Sequence, residues 1–111
     1  MPAAALEGDE IYNSRGEKLG KIRDIMIDVR RGCVAYAILS RGGLLNLGEK
    51  LFAVPWAALT LDARGKRFLL DLDPEQLDAA PGFDKAHWPT MADTAWANQL
   101  HSYYRRAPYW K

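Results

Sequence analysis

Glycine-bearing turns at SRGE, RRGC, RGG, NLGEK and ARGK cut residues 10–72 into short runs rich in β-branched and aromatic side chains. Short strands separated by regular turn signals predict an antiparallel sheet or small barrel. The runs place strands at 10–13, 19–29, 33–40, 50–54, 58–62 and 67–72. In the second, Ile25, Ile27 and Val29 alternate with Met26, Asp28 and Arg30, so the first set is expected to face a core. The third, CVAYAILS, is apolar at both parities and is expected to be a central strand covered on both faces. Arg30, Arg31 and Gly32 join these two runs, and a glycine there supplies the positive φ of a tight hairpin.

After Leu72 the texture changes. DPEQLDAA has an Asp–Pro start and first-turn acids, the marks of a short helix. PGFDKAHWP reads as an irregular connector. In ADTAWANQLHSYYRR, Trp96, Leu100, Tyr103 and Tyr104 recur at helical spacing, which predicts an amphipathic helix capped by Thr90 or Asp93. A chain of 111 residues with 49% hydrophobic content is enough for one core and too short for two independent domains.

Charge limits the partners. Fifteen Lys and Arg against 14 Asp and Glu leave a net charge of +1, which gives no broad basic field for duplex nucleic acid. The lone cysteine, Cys33, precludes an intrachain disulfide and points to the cytoplasm. MPAAALEGDE has neither a basic start nor a long apolar core. CVAYAIL falls far short of the roughly 20 residues that span a bilayer. Membrane insertion is therefore not expected, although docking on a membrane complex stays open.

Chemistry-bearing residues are sparse. His87 and His101 form no H-E-x-x-H frame, so no metal site is expected. Cys33 opens an apolar strand, where a thiol acts as a small hydrophobe. The series Asp71, Asp73, Glu75 and Asp78 lacks the glycine and bidentate glutamate of a calcium loop and overlaps a helix start, where carboxylates are favourable. Ser14, Ser40 and Ser102 lie in no nucleophile elbow. A hydrolase would need Cys33 or a serine brought beside His87 or His101. In YYRRAPYWK, aromatic and basic residues interleave, the combination that stacks bases while neutralising phosphates. Arg30, Arg31, Arg105 and Arg106 are the candidate contacts for that alternative.

Taken in order, Gly16-Glu17-Lys18-Leu19-Gly20, Asp24, the hairpin at Gly32, Gly42-Gly43, Gly48-Glu49-Lys50 and Val54-Pro55-Trp56 resemble a PRC-barrel domain over residues 6–77. The remainder, with APGFDKAHWP and the Trp96–Tyr104 stripe, resembles the tail of stand-alone bacterial members. The resemblance implies a small, strongly bent β-barrel at 1–77, followed at 78–111 by a connector and a helix packed on the barrel or on a second subunit. The same module occurs in the H subunit of photosynthetic reaction centres and in a ribosome-maturation factor. It serves contact and assembly there, so the resemblance implies a noncatalytic interaction module without a cofactor. Roles in ribosome assembly or in an electron-transport complex are the alternatives.

Within that frame Gly16, Gly20, Gly32, Gly43 and Gly48 are expected to permit the bends of the sheet. Pro55 is expected to end its strand or lie on an edge, with Trp56 turned inward as a core plug. Leu44, Leu45 and Leu47 precede the fourth strand in a loop and are expected to leave an apolar patch outside. Together with Trp96, Leu100, Tyr103, Tyr104, Tyr109 and Trp110 they are the expected interface, and a second copy is the simplest partner. A larger protein complex is a further candidate.

Overall fold

The computed structural model describes residues 8–42, 50–62, 67–83, 88–90 and 93–105. Its strands are β1 (Glu10–Tyr12), β2 (Lys18–Asp28), β3 (Cys33–Arg41), β4 (Lys50–Pro55), β5 (Leu59–Asp62) and β6 (Arg67–Leu70). Two helices follow, α1 (Pro74–Asp78) and α2 (Thr94–Tyr103). Each expected strand is present, with bounds within two residues of the reading from sequence. The six form one curled, half-barrel sheet in the order β4-β3-β2-β1-β6-β5. Neighbours are antiparallel except β1 and β6, which run parallel.

Irregular registers bend this sheet. The β1–β2 ladder slips between Ile11 and Tyr12, and the β2–β3 ladder slips at Ile22/Asp24 and again at Met26/Ile27. Each slip leaves one residue unopposed, which kinks a strand and increases its twist. Gly20 is the point of closest approach, since a Cβ there would lie 2.3 Å from the Ser40 carbonyl oxygen and 2.9 Å from Leu39 Cδ2. At the hairpin tip, Gly32 adopts φ +68° and its N–H donates to the Asp28 carbonyl at 2.8 Å.

β3 is the spine of the core. Ala35 to Ser40 are all buried. Its register sets Ala37 and Leu39 opposite Val54 and Phe52 on one face, and Tyr36 and Ile38 opposite Pro55 and Ala53 on the other. Both faces are covered, as the double-parity pattern requires. Pro55 ends β4, which lies at the sheet edge, where its missing N–H costs no ladder bond. The other flank of β4 is closed by Phe83, whose N–H and carbonyl exchange 2.8 Å bonds with Leu51.

The helices pack on the sheet. In α1 the Asp73 N–H donates to Gln76 Oε1 at 2.9 Å, and Leu77 is fully buried. In α2 the Asp93 carboxylate caps the helix by accepting from Ala95 N–H at 2.9 Å. Ala97, Leu100 and His101 are buried, and Tyr36 meets Trp96 and His101 edge-on at centroid distances of 5.5 and 5.6 Å.

One expectation is corrected. Ile27 is 56% and Val29 86% exposed, and Ile25 is only partly buried, so this row does not face a core along its length. The alternation is real, but cover is missing. β1 pairs with β2 only across Lys18–Lys21, and β4 pairs with β3 only from Tyr36 onward. Among the described residues, the rest of the β2–β3 hairpin is therefore two strands wide and extends beyond its neighbours.

Gly20→Ala is expected to lower the unfolding free energy by about 2–4 kcal/mol, since the new methyl group must push backbone away. Urea denaturation monitored by tryptophan fluorescence will measure it, and a loss below about 1 kcal/mol would show that the contact yields easily.

Candidate interaction surface

The expected interface residues divide into distinct groups. Leu100 and Tyr104 are 2% and 7% exposed and belong to the core of the chain itself. Trp96 and Tyr103 are partly buried against that core, and the Tyr103 hydroxyl donates to the Gln76 carbonyl. Leu44, Leu45, Leu47, Tyr109 and Trp110 lie outside the described residues, as do Gly43, Gly48, Arg106 and His87. Trp56 sits in a 3-10 turn (Trp56–Ala58), half-buried, with its ring 5.7 Å from that of Phe68. The larger enclosed side chains are Phe52, Ile11, Leu19 and Ile22.

The candidate chemical groups do not converge. Cys33 is half-buried beside the hairpin turn, opposite Asp28. His101 is buried, with Nδ1 donating to the Ala97 carbonyl at 2.8 Å, a bond internal to α2. Arg31 turns back onto Asp28 at 3.1 Å, whereas Arg30 and Arg105 are exposed at separate elements.

Two surface grooves are present among the described residues. One, about 500 Å³, is lined by Asp71, Asp73, Gln76, Tyr103, Tyr104 and Arg105. Beside it Arg15 reaches Asp73 at 2.5 Å and Glu17 at 2.8 Å. The other, about 620 Å³, is flanked by Lys18, Lys21, Arg41, Lys50 and Asp78. Here Arg41 Nε contacts Asp78 Oδ1 at 2.7 Å and Lys50 Nζ reaches the Asp78 carbonyl at 3.4 Å. The Arg41 hydrogen bond holds the Asp78 carboxyl below its ordinary range. These acids are therefore matched to guanidinium partners. Among the described residues, no cluster of three or more His, Cys, Asp or Glu is placed to hold a metal.

What remains is surface shape. The large hydrophobic residues exposed among the described ones are Ile27, Val29, Leu61 and Trp88, and two of these four occupy the projecting hairpin. The signal for it was strand length: β2 has 11 residues and β1 only three, so β2 outruns its neighbour.

A family model of the PRC-barrel domain matches residues 1–77. The chain belongs to that family. The matched region holds all six strands and nearly all of α1, and in this PRC-barrel protein α2 follows it. No curated protein matches the chain. Among the described residues, no helix is long and apolar enough to cross a membrane.

Tyr36 reports on the packing between barrel and α2. Burial, and then the nearby Asp28 carboxylate, push its hydroxyl up to about 12 from an ordinary 10.0. The folded state holds this proton more tightly, so the stabilisation is complete below pH 10 and is lost as pH rises toward 12. Ultraviolet titration should show a late tyrosine transition near pH 12 that Tyr36→Phe removes, and a Tyr36 transition near pH 10 would refute the buried placement.

Proposed function

We propose that this PRC-barrel protein is a noncatalytic interaction module that associates with a second copy and so serves the assembly of a larger complex. The observation that carries this reading is the projecting hairpin, with Ile27 56% and Val29 86% exposed on a chain whose spine strand is buried on both sides. Exposed apolar side chains grouped on one projection mark a contact surface, and twofold self-association is the commonest way to cover one. Matched ion pairs in both grooves support the same reading, because such carboxylates and cations are held in structural partnerships. A cytoplasmic setting is supported by the single cysteine.

The RNA-binding reading draws less support. Of its candidate cations, Arg31 is engaged by Asp28, and Arg105 stands on a different element from Arg30. The electron-transport reading rests on the family alone, since a shared fold does not carry a shared role.

Light scattering across a dilution series from micromolar to nanomolar protein is expected to give a particle of about twice the 12.5 kDa chain mass that dissociates on dilution. A 12.5 kDa particle at every concentration would overturn self-association.

A further inference from the structure

The register of β3 and β4 separates two faces of the sheet. Ala37 and Leu39 pair with Val54 and Phe52, and Leu39 also pairs with Ile22. Ile11, which lies opposite Gly20 and in register with Phe68, continues the same face. Tyr36 and Ile38 pair with Pro55 and Ala53 and point to the reverse face. Ile38 and Ala53 are buried, so the reverse face is covered as well.

Its cover is α2. The helix packs on β4, and Trp96 and His101 meet the Tyr36 ring edge-on at 5.5 and 5.6 Å. All six strands fall within the region matched by the family model, whereas α2 lies beyond it. Among the described residues, no backbone hydrogen bond joins α2 to a strand, and the Tyr103 hydroxyl ties the helix to the Gln76 carbonyl of α1 instead. A helix held by side-chain packing without a ladder can open as a unit of its own.

The end of α2 carries two penalties while it is docked. Tyr104 is buried, and its hydroxyl has no hydrogen-bond partner. A dehydrated phenol that donates to nothing weakens the packing that buries it. Arg105, next in the chain, takes φ +56°, the left-handed conformation after a helix that glycine adopts with least strain. Opening returns the hydroxyl to water and frees the Arg105 backbone. We infer that α2 is a releasable cover over the reverse face of β3 and β4, one that opens while the opposite face stays packed. Once open, it bares Tyr36, Ile38 and Ala53 of the family-matched sheet. The inference does not depend on the self-association proposed above and concerns a different surface from the hairpin.

Native-state amide exchange on the full chain tests it. The amides bonded within α2 are expected to exchange at least about tenfold faster than those of residues 37–39 in β3. Gly20→Ala, which strains the opposite face, should speed β3 exchange and leave α2 exchange unchanged. Tyr104→Phe and Arg105→Gly remove the two penalties and should slow α2 exchange by about tenfold and about fivefold. In a Cys33→Ser background, Ala53→Cys on the Tyr36 face should react with a thiol reagent about tenfold faster than Ala37→Cys on the opposite face. Equal protection of the two thiols would reduce fast α2 exchange to fraying of the helix and would overturn the cover. One common exchange rate for α2 and β3, raised in both by Gly20→Ala, would make them a single cooperative unit and would overturn it too. Faster α2 exchange in Tyr104→Phe would show that the hydroxyl supports docking, and would likewise count against the inference.

Discussion

The contact between Gly20 and the Ser40 carbonyl is the constraint on which the curl of the sheet depends. A side chain at this site would occupy the space of a neighbouring backbone, 2.3 Å from its oxygen. Without one, β2 presses onto β3 while still pairing with β1, where Gly20 lies opposite Ile11. Ile11 is fully buried and also sits in register with Phe68 of β6. The two halves of the sheet are thereby drawn around one set of apolar side chains. Close packing of that kind makes small changes in volume costly.

Much of the fold was legible because local signals agreed with the tertiary arrangement. The double-parity run ending at Ser40 predicted a strand covered on both faces, and its residues from Ala35 are buried accordingly. Asp93 was one of two caps expected for the last helix, and it accepts the bond from Ala95. The parallel pairing of β1 with β6 was not legible, because turn signals describe consecutive strands and these two are brought together across the whole barrel. Ile27 shows a second limit. Its alternation with Met26 and Asp28 correctly assigns faces, but a face becomes a core only where another layer covers it, and cover is a property of the neighbours' lengths.

The candidate surface was harder to read from sequence for the same reason. Leu100 and Tyr104 satisfy the pattern of a helix face that needs a partner, and their partner is the sheet of their own chain. The Tyr36 ring between Trp96 and His101 shows how α2 is recruited to this role. Once that stripe is internal, two of the four large apolar side chains exposed among the described residues lie on the hairpin. Charges tell a parallel story: Arg31, a candidate RNA contact by sequence, is aligned on Asp28, as Arg15 is on Asp73 and Arg41 on Asp78. Surface pairs of this sort contribute little to stability, but they fix where positive charge is offered outward.

The bridge between Phe83 and Leu51 has a consequence for architecture on a larger scale. A sheet open at both margins invites indefinite stacking into filaments, since each added molecule presents a fresh margin to the next. Here one margin is bridged by the connector at Leu51 and terminates in a proline, so its backbone offers less to a further strand in that direction. Stacking through that margin would first have to displace the chain's own connector.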